Sequence, residues 1–405
     1  MPSSSPQPLA RYAHAPMLLL IVGFLILQPL STDLYLASLP SLASSFAVPP
    51  STVQLTLSLF VIGFGGAQLI IGPLSDRFGR RPLLLCGLSL YVLATAMCGL
   101  ASSIDILITA RFLQALGCCS AVIMARAIVR DIYAVSDSVK VVARASSWLS
   151  LGPLLGPVVG SYLQVGFGWR AAFVALGLFS AALLLLTFLR LPETNQHKDP
   201  AATQWRGLLA NYRLVLGSRV FWAYALPGAL SYGAVFSFIS GSSFVFLNVL
   251  HVPTAWFGFC FGFAASGYLL GTIACRRLNA RFGSPTTFRI GTGLTLASGA
   301  LFLVAVALGL SHWTMLVATM FLTMGAHGIN FPVSQAGSVS PFQQQAGTAA
   351  GLMGALSMSV AFVAGTLVGA SHDGTLVPLA LIAGGLGLCS FLAVRSLHMP
   401  LAVPA

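Results

Sequence analysis

Residues 83–102 hold no charged side chain, and apolar runs of similar length recur along the whole chain. A helix of about 20 apolar residues is long enough to cross a bilayer. Backbone polar groups inside hydrocarbon must pair within the crossing element, so only helices or a closed barrel can span it. The runs are continuous instead of alternating with period two, and that selects helices. Of the 405 residues, 57% are hydrophobic and 7% charged, where a soluble domain carries about 25% charged. The chain is read as an all-α polytopic membrane protein and not as an enzyme.

The runs predict twelve transmembrane helices, at 17–39, 53–74, 83–102, 107–128, 145–166, 171–190, 220–247, 255–275, 287–309, 313–333, 346–370 and 376–394. The first run is too long for the apolar region of a signal peptide, so it reads as an uncleaved helix. Most connections are short. The exception, 191–219, divides the chain into an N-terminal six-helix bundle (1–190), a cytoplasmic linker (191–219) and a C-terminal six-helix bundle (220–405).

The net charge is +12, and its placement is informative. With the N-terminus inside, Arg77, Arg80, Arg81, Arg130, Lys140, Arg144, the basic linker, Arg276, Arg277, Arg281 and Arg395 all fall on the cytoplasmic side. Arg170 alone falls in an outer loop. This bias predicts both termini in the cytoplasm of a bacterial inner membrane. The seven cysteines lie in apolar runs without a C-x-x-C pair or a histidine at ligand spacing, so they read as packing residues and no metal site is expected.

The halves echo each other. Leu74-Ser-Asp-Arg-Phe-Gly79 is matched by Leu278-Asn-Ala-Arg-Phe-Gly283, each after the second helix of its half. Arg111-Phe-Leu-Gln-Ala-Leu-Gly117 is more weakly matched by Met320-Phe-Leu-Thr-Met-Gly325. Two matches in one order argue for a duplicated six-helix unit, the arrangement in which a substrate site lies between parallel halves.

Four segments carry motifs. Gly72-Pro-Leu-Ser-Asp76-Arg77-Phe-Gly79-Arg80-Arg81 joins helices two and three, where Gly79 permits a tight turn and Asp76 sits among arginines. Asp131, at the inner end of helix four, is placed to join Asp76, Arg77 and Arg80 in a cytoplasmic gate. Helix five reads Gly152-Pro-Leu-Leu-Gly156-Pro157-Val-Val-Gly160, with small residues four apart that allow close helix approach and a proline that favours a kink. Helix one holds Ser31-Thr-Asp33-Leu-Tyr35 and helix four holds Arg111-Phe-Leu-Gln114.

The first segment resembles the loop signature of the major facilitator superfamily. The helix-five pattern resembles that of its drug–proton antiporters. Helices one and four, with Ala125–Tyr133 and Phe236–Gly241, are similar to the bicyclomycin- and chloramphenicol-resistance (Bcr/CflA) branch. The second loop copy departs from the signature, with Ala280 where the acid stands. The resemblance implies a monomeric antiporter that exports small apolar toxicants against protons and needs no cofactor. An importer of a small nutrient and a non-transporting membrane receptor or scaffold are the alternatives.

If protons move through a carboxylate, Asp33 is the one candidate, because the other acids fall at helix ends or in connections. At 1.5 Å per residue Asp33 lies roughly 9 Å, and Arg111 roughly 6 Å, from the outer helix ends. The two are expected to face one cavity, with Tyr35, Gln114, His327 and Asn330 as its further lining. A satisfied core histidine is the competing reading of His327.

Overall fold

The computed structural model describes residues 15–133, 151–196 and 198–396, and within these the regular structure is helical throughout. The first set comprises α1 (Ala15–Asp33), a short α2 (Leu39–Phe46), α3 (Pro50–Phe78), α4 (Arg80–Gly99), α5 (Ile104–Ile132), α6 (Leu151–Phe167) and α7 (Arg170–Arg190). The linker carries α8 (Trp205–Leu216). The second set comprises α9 (Arg219–Phe244), α10 (Thr254–Ala307), α11 (Trp313–Val339), α12 (Ala346–Ala370) and α13 (Val377–Ser396).

Ten described helical segments are long and apolar enough to cross a membrane. One of them, α10, runs 54 residues, twice what a crossing needs, and bends at Gly283 into two arms. The described part of α6 is 17 residues. Residues 145–150, where the fifth span was expected to begin, lie outside the described residues with Lys140 and Arg144. The second arm of α10 and α6 bring the crossings to twelve. Leu93, Leu178 and Leu185 on α4 and α7 stand exposed on the surface, as lipid-facing side chains do.

The backbone carries the same duplication as the sequence. Gly79 has φ 105° and ψ 161°, and Gly283 has φ 73° and ψ 168°. Both adopt a positive φ that side chains other than glycine's resist. At Gly79 a Cβ would meet the Glu193 carboxyl carbon at 2.9 Å, whereas at Gly283 the space is open. The first copy is covered and the second is bare.

Helix one is not the single run expected through Leu39. It stops at Asp33, passes through a 3₁₀ turn at Leu36–Ser38, and restarts as α2 with Pro40 in its first turn. The hydroxyls of Ser31 and Thr32 bond back to the carbonyls of Leu27 (2.5 Å) and Pro29 (3.0 Å). Such back-bonding loosens a helix, and the ring of Pro40 cannot supply a donor to continue one.

The halves meet along two seams. On one, Gly65 of α3 packs on Met358 of α12, and Gln68 lies against Gly351 and Gly354. On the other, Gly258 and Gly262 in the first arm of α10 press on the backbone of Leu154, Pro157 and Val158 in α6. Near the start of α3, Ser240 of α9 donates to Gln54 Oε1 at 3.3 Å, beside Gly369 of α12.

Candidate functional site

The break in helix one places Asp33 at a helix end inside the bundle, 4% exposed. Its Oδ1 lies 2.8 Å from Thr32 Oγ1, whose one hydrogen is shared between this oxygen and the Pro29 carbonyl. The glycine face of α6 lies directly against this break. A Cβ on Gly152 would meet Pro29 Cγ at 3.0 Å, one on Gly156 would meet Asp33 Cβ at 3.3 Å, and one on Gly160 would fall 2.7 Å from the Leu34 carbonyl carbon. The carbonyl of Pro157, on another face of α6, approaches Gly258. Thus α6 is held between α1 on its glycine face and α10 on the face of Pro157.

Arg111 is fully buried and does not pair with Asp33; among the described residues the ion pairs are Arg80 with Asp76 and Arg80 with Asp131. The guanidinium lies between the rings of Tyr35 and Phe60, 4.4 Å from each centroid. Nε points to the Thr56 carbonyl at 3.4 Å and Nη1 donates to Gln114 Oε1. Gln114 Nε2 donates to Thr95 Oγ1 at 2.7 Å, and the Tyr35 hydroxyl meets Thr56 Oγ1 at 3.0 Å. Tyr35 and Gln114 were expected on the cavity surface. Both are instead fully buried in the wall, where they hold Arg111. One donor stays free: Arg111 Nη2 is buried without a partner.

In the second half, His327 of α11 is 5% exposed, with Nδ1 3.2 Å from Ser231 Oγ of α9. Three rings surround its imidazole, those of Tyr232, Tyr268 and Phe331, with centroids at 5.4, 5.9 and 5.5 Å. Asn330 is fully buried and donates through Nδ2 to Ser231 Oγ and Thr295 Oγ1, each at 3.0 Å.

The charged group where α3 and α5 end and α4 begins is built around Arg80. Nη1 bonds Asp76 Oδ1 and Ser75 Oγ, each at 2.5 Å, and Nε bonds Asp131 Oδ2 at 3.1 Å. Arg77, expected to share these acids, turns away to Thr203 Oγ1 at 2.5 Å. The cluster joins α3, α4 and α5, all of one half, so it cannot by itself clamp the two halves together.

The linker, which the sequence reading treats as a polar connection, folds back onto this cluster. Glu193 accepts from the backbone N–H of Arg80 at 2.9 Å and of Arg81 at 3.2 Å, capping α4 with a carboxylate where the helix dipole favours one. Thr194 donates to Asp131 Oδ2 at 3.0 Å, and Asn195 donates to the carbonyls of Ser75 and Asp76 at 3.3 and 3.1 Å. Farther along, the Tyr212 hydroxyl on α8 donates to the Leu69 carbonyl of α3 at 2.6 Å. Partial burial pushes the Tyr212 phenol above its ordinary pKa, so it remains a donor. The one signal in the sequence was an isolated Glu193 directly after a helix end, in a stretch otherwise rich in arginine.

Residues 20–366 match the profile of the Major Facilitator Superfamily. The chain is 27% identical over 376 residues to a bicyclomycin resistance protein homolog of Haemophilus influenzae, covering 93% of this chain and 94% of that protein. It is 32% identical over 339 residues to a chloramphenicol resistance protein of Pseudomonas aeruginosa, covering 84% and 80%. Among solved structures, the Escherichia coli xylose transporter XylE in a partially occluded inward-open conformation superposes with a TM-score of 0.73 at 15% identity, covering 95% and 97% of the two chains.

Proposed function

The chain belongs to the Major Facilitator Superfamily, and from that premise we propose that it exports small apolar antibacterial compounds in exchange for protons. It sits in the bacterial inner membrane with both termini in the cytoplasm, acts as a monomer by alternating access, and needs no cofactor. The substrate class follows the names of the relatives, which are resistance proteins for bicyclomycin and chloramphenicol.

The observation that carries proton coupling is Asp33. It is a carboxyl group enclosed within a membrane span, at a break in its helix, with a hydroxyl for a neighbour and no cation paired to it. An ionisable group in such a place is costly to keep unless it is used. Arg111 complements it. A buried guanidinium without a carboxylate is held by two ring faces and carbonyls, and its free Nη2 is a ready donor. In the described arrangement the pair is apart. A shift of α1 against α5 that brought them together would favour the ionised Asp33 and release its proton. Drug and proton thereby alternate on one switch. Each proton entering the cell contributes about 2.3 kcal/mol per 100 mV to drive the export.

The test uses the purified protein in proteoliposomes with an imposed proton gradient and labelled chloramphenicol. Uphill accumulation is expected for the unaltered chain. Asp33→Asn should abolish it while leaving downhill exchange of the drug. Uphill accumulation by Asp33→Asn would overturn the assignment of the proton to this residue.

A further inference from the structure

Asp33 is not the only enclosed group positioned to hold a proton. We propose that His327 is a second proton-carrying residue, held in the other half by a three-residue hydrogen-bond chain, His327–Ser231–Asn330, that reverses direction when the imidazole is protonated. This rests on the antiport reading above and adds a residue to it.

The chain's direction is set by the protonation of the ring. A serine hydroxyl has one hydrogen and two lone pairs. With Asn330 Nδ2 donating to one lone pair of Ser231 Oγ at 3.0 Å, the hydroxyl either turns its own hydrogen to His327 Nδ1 at 3.2 Å or offers its second lone pair to an Nδ1–H. In the first case Nδ1 accepts and the ring is neutral with its hydrogen on Nε2; in the second Nδ1 carries a proton. The other hydrogen of the Asn330 amide goes to Thr295 Oγ1, whose own hydrogen goes to the Gly291 carbonyl at 3.1 Å. Only Asn330 Oδ1 is left over, buried and without a partner.

That unpaired oxygen is what makes the chain reversible. If His327 takes a proton on Nδ1, it becomes a donor and Ser231 must turn its hydrogen elsewhere. A half-turn of the Asn330 amide presents Oδ1 to receive it, giving His327 Nδ1–H to Ser231 Oγ–H to Asn330 Oδ1. The half-turn gives up the bond to Thr295 Oγ1 and leaves both Nδ2 hydrogens unpaired, so the amide's own bonds favour the described orientation and the proton on the ring drives the turn against them. Gly291 leaves room for the amide, since a Cβ there would lie 3.0 Å from Asn330 Cγ. The resulting imidazolium would sit among the rings of Tyr232, Tyr268 and Phe331.

The groups facing this site are few. Helix α9 contributes Ser231 and Tyr232, the first arm of α10 contributes Tyr268 with Cys275 beyond it, and the second arm contributes Thr295 and Gly291. None of these described groups is an acid or a further base. Asp33 and His327, on α1 and α11, lie in opposite halves.

The experiment measures protons released per chloramphenicol bound by the purified full chain between about pH 5 and pH 8, alongside nitrogen NMR of ¹⁵N-histidine-labelled protein. The signal of His327 is assigned by difference from His327→Gln. We expect His327→Gln to lose about half of the released protons and one limb of the pH profile. Asp33→Asn should retain the other share, and the double variant should release none. The difference signal should report the Nε2–H tautomer at high pH and imidazolium at low pH, and Ser231→Ala should shift its midpoint. If His327→Gln binds chloramphenicol with an unchanged proton count and pH profile, the second proton site is wrong. If Ser231→Ala leaves the midpoint and tautomer unaltered, the reversing chain is wrong. If the unaltered protein releases no proton on binding, the antiport reading falls, and this assignment with it.

Discussion

Replacing Gly160 by alanine tests the contact between α6 and the break in α1 with a single methyl group. That Cβ would fall 2.7 Å from the Leu34 carbonyl carbon, closer still to its oxygen, and 3.2 Å from Leu34 Cα. Ordinary carbon contacts begin near 3.4 Å, so α1 must withdraw by roughly 1 Å, and the obstacle is backbone that cannot rotate aside. Overpacking of this kind costs about 1–3 kcal/mol. Leu34 follows Asp33 directly, so the carboxyl moves with it, and a misplacement of about 1 Å at a reacting group can cost on the order of 100-fold in rate. The neighbouring glycines are internal controls. A methyl at Gly152 would touch the Pro29 ring at 3.0 Å, and one at Gly156 would touch Asp33 Cβ at 3.3 Å. Drug-driven proton release from proteoliposomes should fall about 10- to 100-fold in Gly160→Ala, less in Gly152→Ala, and least in Gly156→Ala, with comparable amounts of protein inserted. Full activity of Gly160→Ala, or a worse defect in Gly156→Ala than in Gly160→Ala, would refute the packing argument.

Further outcomes follow from the cluster around Arg80. Arg80→Ala leaves Asp76 and Asp131 without their shared cation and should lower stability in detergent by about 1.5–3 kcal/mol, whereas Arg77→Ala should change it by no more than about 0.5 kcal/mol; thermal unfolding compares them. Glu193→Ala removes the acceptors of two N–H groups at the start of α4 and should cost about 1–2 kcal/mol, with Glu193→Gln in between, since its amide keeps one acceptor oxygen and loses the charge. Equal stabilities for the two Glu193 variants would remove the capping role. Tyr212→Phe deletes one hydrogen bond to Leu69 and should cost about 1 kcal/mol, together with faster labelling of a cysteine placed on α8; unchanged labelling would mean that α8 is held by its apolar face alone.

The crossings were legible because hydrocarbon imposes a length on each helix, and the tight turn at Gly283 was visible as a twin of that at Gly79. What hydropathy cannot register is direction around a helix axis. Tyr35 and Gln114 are polar residues at the depth of a cavity, which is why they read as its lining, yet their faces turn into the wall beside Arg111. The break after Asp33 was hidden because Leu34, Leu36 and Leu39 continue the apolar run whether or not the helix does. Arg77 and Arg80 are equivalent as charges three positions apart, and only the fold decides that Arg80 is turned toward Asp131 while Arg77 reaches Thr203. Glu193, Thr194 and Asn195 serve distant backbone and side-chain groups, so nothing local to the linker marks them.

The interruption of helix one also constrains how the molecule can move. Backbone groups released by a break are tolerated at membrane depth only where protein or a water-filled space covers them. Here the cover is the glycine face of α6, in backbone contact at Gly160. Pulling α6 away from α1 would uncover the Leu34 peptide, so the two helices are expected to travel together, and the shift of α1 against α5 that brings Asp33 to Arg111 carries α6 with it. The seams between the halves, α3 against α12 and α6 against the first arm of α10, are the other planes of movement. There Gly351 and Gly354 on one seam and Gly258 and Gly262 on the other let the helices approach closely, with the side chains of Met358 and Gln68 set into the first.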